Sequence, residues 1–151
     1  MSAALPKRLR CAVYTRKSTD EGLDAEYTSI DAQRDAGAAF IASRRMEGWI
    51  PVAGDYDDGG FSGGTLLRPA LQRLMEDIRA GQIDIVVVYK IDRLTRSLFD
   101  FAELIKVFEE YGTTFVSVTQ QINTTDAMGR MMLNILLAFA QFKRELTAER
   151  I

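Results

Sequence analysis

One serine and four arginines stand at chain positions suited to work on a phosphate. Ser18 lies at the end of the segment "AVYTRKST", Ala12 to Thr19, with Arg16 and Lys17 just before it. Arg68 opens a helical pattern directly after the glycine-rich "GGFSGG", where a helix N-terminus favours anions. Asp92, Arg93 and Arg96 lie in "KIDRLTRS", after an apolar run. The chain has no histidine, which excludes a Ser-His-Asp triad. Arginine presents a planar fork that matches phosphate oxygens in pairs. Phosphoryl transfer needs positioning and charge stabilisation more than covalent help, so an arginine cluster suits it without a metal. Ser18 is then the candidate nucleophile.

Each residue alone also has an ordinary structural reading. A serine after a strand is commonly a turn or cap residue. Arg93 and Arg96 suit a solvated helix face if that segment is helical. Asp92 with Arg93 suits an exposed ion pair of little energetic weight. A metal site has poor support: there are no histidines, and the acidic pair Asp57–Asp58 lies in a glycine-rich turn. "DDGGFSGG" lacks the Lys-Ser/Thr end of a P-loop, which argues against nucleotide binding.

Alternating strands and helices must position these groups. "LRCAVYT" reads as a first strand, and period two places Tyr14, Arg16 and Ser18 on one side of it. "SIDAQRDAGAAFIASRRM" reads as a helix capped by Ser29, with Ile30, Gly37, Phe40 and Ile41 on one face. "WIPVAGDY" is a weaker strand. "RPALQRLMEDIRAG" is a helix, with Pro69 at its first position, Leu71, Leu74, Met75 and Ile78 on its apolar face, and Gly81 as its stop. "IDIVVVYK" has the continuous β-branched run of a strand buried on both faces. "SLFDFAELIKVFEEYG" is a helix capped by Ser97, and "TTFVSVTQ" a last strand. Strands separated by helices imply right-handed βαβ units. The fold class is therefore α/β: a compact doubly wound, mainly parallel sheet of four to five strands. Ligands of such sheets bind beyond the carboxyl ends of the strands, where Ser18 and the "KIDRLTRS" arginines fall.

The final segment is of another kind. Met128, Met132, Ile135, Phe139, Phe142 and Leu146 step by 4, 3, 4, 3, 4, the spacing of a coiled-coil seam. Met131, Leu133, Leu136, Leu137 and Ala140 make its middle apolar all round. Such a helix needs a second apolar partner besides its own domain, and an oligomer interface is expected. The alternative is central packing in a larger core. The organisation expected is an α/β core over 1–125 and the start of a long oligomerisation helix over 126–151. The pattern runs to "TAERI" without a stop, so a fragment of a longer protein is expected.

Composition narrows the classes further. The 151 residues are 47% hydrophobic and 26% charged, ordinary for one globular domain, so a disordered chain is excluded. A net charge of −2 argues against a free-standing non-specific nucleic-acid binder. Five cations precede Asp20 without an acid, and "DEGLDAEYTSID" then carries five acids without a base. The single cysteine, Cys11, forms no internal disulfide or zinc site, and a buried apolar role in a reducing, cytoplasmic compartment fits it. No apolar run has the length of a membrane span.

In combination the motifs resemble a known family. "YTRKST", "SIDAQRD", "DDGGFSGGTLLRPAL", "VVVYKIDRLTRSL" and "MGRMMLNILLAFAQFKRELTAERI" occur in the order seen in the catalytic domain of serine site-specific recombinases. These are the resolvases, invertases and large phage-type integrases of bacteria and phages, and the likeness runs from Leu9 to Ile151. It implies that Ser18 attacks a DNA phosphodiester, forming a 5′-phosphoserine link and releasing a 3′-hydroxyl. It implies that Arg16, Arg68, Arg93 and Arg96 bind the phosphate, and that Asp92 orients them. Tyr14 and Gln33 match residues that shape the pocket. Asp58 and Ser62 match a further pair in the glycine-rich loop. Arg150 matches a last active-site arginine on the long helix. The resemblance further implies no cofactor, metal or nucleotide, duplex recombination sites as partner, a C-terminal DNA-binding region beyond this chain, and a homodimer that assembles into a synaptic tetramer. Two departures stand out: the acidic insertion "DEGLDAEYT" and Lys143, where many members carry glutamate. Chemically different alternatives are a hydrolytic phosphodiesterase or phosphatase, and a non-catalytic dimerisation module.

Overall fold

A computed structural model describes residues 8–17, 29–60, 66–95 and 98–119, together with eleven helical positions between 131 and 148. The side chains of Asp92, Leu98 and Phe99 fall outside that description, as do Ser18, Ser62, Arg96, Ser97 and Arg150.

Five strands form one parallel sheet. Strand β1 (Leu9–Lys17) is central, with β4 (Ile85–Val88) on one side and β5 (Thr114–Ser117) beyond it. On its other side β1 pairs twice: Leu9–Cys11 with β2 (Trp49–Pro51), and Tyr14–Lys17 with β3 (Tyr56–Gly59). The expected single strand "WIPVAGDY" is thus broken in two. Two residues of β1 separate the two registers (Ala12 and Val13), but four separate them on the partner side (Val52 to Asp55). The extra pair has no ladder partner, so it interrupts the strand as a bulge does.

Period two along β1 and β4 sorts the core into two layers. Cys11, Ile85, Val87 and Val116 are buried with Ile41 of helix α1 (Ile30–Ser43) and Trp49. Ala12, Tyr14, Val86, Val88 and Phe115 face helices α2 (Pro69–Arg79) and α4 (Leu98–Glu110). Leu71, Leu74, Met75 and Ile78 of α2 are all buried there, as their spacing predicts. The sheet is therefore covered on both faces, which explains why all four residues of β4 are buried and apolar.

Several helix signals hold in detail. Ser29 caps α1, its hydroxyl accepting the Ala32 N–H at 3.1 Å. Pro69 occupies the start of α2, and Gly81 follows its end with φ of 73°, a left-handed conformation that a side chain disfavours. Helix α1 ends at Ser43, earlier than expected, and a short 3-10 turn (Arg45–Glu47) continues to β2. Gly37 marks the closest approach of α1 to the sheet: a Cβ there would sit 2.6 Å from Val13 Cγ1. The described residues between 131 and 148 are exposed, including Met131, Ile135, Phe139, Phe142 and Leu146. Among the described residues no helix is long and apolar enough to cross a membrane.

Candidate active site

The carboxyl end of β1 gathers most of the described candidates. Tyr14 and Arg16 point to the α2 side of the sheet and both are completely buried. The ladder with β3 continues through Lys17, whose carbonyl accepts the Gly60 N–H at 2.6 Å. Ser18 is the next residue in the sequence. Around this edge the structure brings together Tyr14, Arg16, Gln33, Asp58, Arg68 and Arg93.

Asp58 organises one half of the group. It belongs to β3 rather than to the glycine-rich loop, and β3 alternation turns it toward α2. Its carboxylate accepts the N–H groups of Ala70 and Leu71 at 2.9 and 3.0 Å. These are amides of the first turn of α2, which helix geometry leaves without internal partners. The expected anion site at this helix N-terminus is therefore already filled, by a carboxylate of the protein itself. Asp58 also accepts the Tyr14 hydroxyl at 2.7 Å. The Tyr14 oxygen in turn accepts from Arg68 Nη1 at 2.8 Å.

Burial raises the Tyr14 phenol well above its ordinary range, the nearby Arg68 charge opposes this, and the bond to Asp58 adds to it. Tyr14 therefore stays protonated and serves as a fixed donor and acceptor. Arg68 is fully buried, and its Nη2 donates to the Leu94 carbonyl.

Arg16, Gln33 and Arg93 form the other half. Gln33, on the first turn of α1, imitates a neighbouring strand. Its amide oxygen accepts the Arg16 N–H at 3.2 Å, and its nitrogen donates to the Arg16 carbonyl at 3.0 Å. Arg16 Nε donates to the Arg93 carbonyl at 3.2 Å, and Arg93 Nη1 donates back to the Arg16 carbonyl at 3.2 Å. Arg68 Nη1 reaches the same Arg93 carbonyl at 3.4 Å, so two guanidinium groups share one acceptor. Arg93 itself is only 7% exposed. It belongs to the short helix α3 (Ile91–Leu94), which ends at Thr95 with extended backbone, φ −162° and ψ 153°. A continuous helix face carrying both Arg93 and Arg96 is therefore not what the chain forms. It also means that Arg93 is no solvated helix-face residue.

Three fixed positive charges thus lie in a buried cluster, oriented by carbonyl and hydroxyl oxygens. Such an arrangement suits a phosphoryl group, whose oxygens accept from several guanidinium donors at once. Asp57 and Asp58 face opposite sides of the sheet and do not converge on a common point, and no metal-ligating cluster occurs among the described residues. Sequence reasoning does not single out the Arg93 and Leu94 carbonyls, since backbone acceptors leave no mark on residue type. It also misses Thr15 and Arg34, which Asp57 holds together on the α1 face.

Comparison with known proteins places this geometry in context. A family model described as the N-terminal domain of resolvase matches residues 11–151. DNA-invertase hin of Salmonella typhimurium is 36% identical over 122 residues, 81% of this chain and 57% of that protein. Serine recombinase gin of Escherichia phage Mu is 38% identical over 90 residues, 60% of this chain and 46% of that protein. The chain spans about half the length of these curated relatives. Among solved structures, the N-terminal catalytic domain of TP901-1 integrase superposes with a TM-score of 0.78 at 41% identity, covering 91% of this chain and 98% of that one. A resolvase family site-specific recombinase from Streptococcus pneumoniae gives 0.73 at 27% identity, covering 95% and 93%.

Proposed function

Because the chain belongs to the resolvase N-terminal domain family of serine recombinases, we propose that it exchanges DNA strands through a covalent phosphoserine intermediate. The observation that carries this reading is the buried arginine cluster at the carboxyl edge of β1, one residue short of Ser18. In the reaction the Ser18 oxygen attacks a DNA phosphorus. A bond from serine oxygen to phosphorus forms, and the bond from phosphorus to the 3′ oxygen breaks. The serine gives up its proton and the departing oxygen gains one, leaving a 3′-hydroxyl. Religation is the reverse step on a new 3′-hydroxyl, so the ester bond energy is conserved.

Arg16, Arg68, Arg93 and Arg96 bind the phosphate and stabilise the charge that develops on it. Asp92 orients them, and Arg150 completes the set from the C-terminal helix. Tyr14, Gln33 and Asp58 hold the cluster, with Ser62 as the second member of the Asp58 pair. Tyr14 is not the base that deprotonates Ser18, since burial keeps its own proton in place.

The same reading gives the chain two parts, an α/β core over 1–125 and a helix from 126 that assembles copies. Ile135, Phe139, Phe142 and Leu146 of the expected seam are exposed, as a surface waiting for a second copy would be. The partners are duplex recombination sites and a homodimer that pairs into a tetramer.

The test is direct recovery of the adduct. Cells expressing the full-length protein are lysed in denaturant, DNA-linked protein is collected, and nucleases trim the DNA. Trypsin cleavage after Lys17 then gives a peptide that starts at Ser18, and mass spectrometry should find nucleotide phosphate on that serine. Ser18→Ala should abolish it. Cleavage that leaves free 5′-phosphate ends and no linked protein would identify a hydrolase instead. Intact DNA throughout would identify a non-catalytic module.

A further inference from the structure

Asp57 and Asp58 are neighbours in β3, and alternation sends them to opposite faces. Asp58 serves the α2 side. Asp57 serves the α1 side, where it accepts the Thr15 hydroxyl at 2.6 Å and pairs with Arg34 Nη2. Thr15 is completely buried and lies opposite Asp57 in the ladder. Arg34 also bonds Asp31 at 3.0 Å, within the first turn of α1. Its Nε is buried and has no hydrogen-bond partner among the described residues, while 40% of the side chain is exposed. Asp57 and Asp31 hold the guanidinium from two sides.

The sequence neighbours of these residues are the informative part. Thr15 precedes Arg16, and Arg34 follows Gln33. Two adjacent residues of α1 therefore grip two adjacent residues of β1: Gln33 holds the Arg16 backbone, and Arg34 holds Thr15 through Asp57. Apolar contacts such as Gly37 against Val13 fix how close α1 lies to the sheet. The ion pair and hydrogen bond are directional and act at the end of α1 nearest the arginine cluster.

We propose that Arg34, Asp57 and Thr15 are positioning residues for strand cleavage: they lock the first turn of α1 so that Gln33 fixes the Arg16 backbone. The proposal rests on the function argued above, and it concerns residues that touch no phosphate. Misplacing a reacting group by a fraction of a turn costs rate rather than affinity.

Full-length protein carrying Asp57→Asn, Arg34→Met, Thr15→Val or Thr15→Ser would be compared with wild type by two measurements. The first is amide hydrogen exchange at Arg16 and, as control, at Val86–Val88 of β4. The second is the rate of adduct formation on the duplex recovered from wild-type adducts, together with its Kd. Asp57→Asn, Arg34→Met and Thr15→Val should each speed exchange at Arg16 about tenfold and leave β4 unchanged. They should slow adduct formation about tenfold with Kd within about twofold. Thr15→Ser, which keeps the hydroxyl, should behave as wild type.

Unchanged exchange at Arg16, or faster exchange at β4 as well, overturns the proposal. So does an unaltered adduct rate. A wild type that forms no adduct refutes the recombinase reading alone, and the exchange data still decide the lock. If Asp57→Asn does not fold, the two Thr15 variants decide.

Discussion

The Tyr14 hydroxyl donates to Asp58 and accepts from Arg68, at 2.7 and 2.8 Å, with all three side chains buried. One phenol therefore joins the residue that caps α2 to an arginine of the buried cluster. Tyr14→Phe keeps the ring and removes both bonds. It leaves a buried carboxylate short of a donor and a buried guanidinium short of an acceptor. The expected loss is about 1–3 kcal/mol in urea unfolding, with slower adduct formation. An unchanged midpoint would mean that Asp58 and Arg68 find other partners without cost.

Gly37 offers a test of packing between α1 and β1. A methyl group at Gly37 would overlap Val13 Cγ1 at 2.6 Å. Gly37→Ala should destabilise by about 1–3 kcal/mol despite alanine's better helix propensity. Val13→Ala makes room at that contact. The double variant should then lose less than the two single losses together, as thermal unfolding would show.

Stability should fall on the alkaline side. Burial pushes the Cys11 thiol from 9.0 up to about 12. Burial and the bond to Asp77 push the Tyr56 phenol up to about 12 as well. Both groups keep their protons longer folded than unfolded. Their contribution is complete below the unfolded values and is lost as pH rises from about 9 toward 12. Cys11 alone should remove about 2 kcal/mol between pH 8 and a pH near 10.5. Urea titrations of wild type and Cys11→Ala across that range would compare the two slopes, and the variant's should be shallower.

The apolar stripe of the C-terminal helical segment should act between molecules rather than within one. Ile135 and Phe139 are 60% and 53% exposed. Replacing both with aspartate should change unfolding of the α/β core by no more than about 0.5 kcal/mol. It should shift full-length protein toward monomer in sedimentation equilibrium. A core that unfolds more easily, with an unaltered oligomeric state, would show instead that the stripe packs on its own domain.

The parts of this fold legible in the sequence were those set by local periodicity. The buried run Ile85–Val88, the apolar face of α2 with Pro69 and Gly81 at its ends, and the Ser29 cap all follow from neighbours within a few residues. The break between β2 and β3 does not, because it depends on register against β1, which residue type does not encode. Grouping Arg16, Arg68 and Arg93 was legible through the rule that loops beyond strand ends meet. Their manner of support was not: Arg93 presents its backbone carbonyl to two other arginines, and a carbonyl looks the same in every residue. Asp58 illustrates the reverse error. Two glycines follow it, so it reads as a loop residue, while tertiary contact makes it the cap of a helix that begins eleven residues later.

The interrupted strand has a consequence for how the molecule meets copies of itself. A sheet recruits a foreign strand through a long, even row of free peptide groups. Here the outermost strands are three and four residues long on one flank and four on the other. The two on the first flank are out of step with each other by two residues, so no single incoming segment keeps register along both. The two edges of this sheet are thereby guarded against strand-by-strand stacking into fibres.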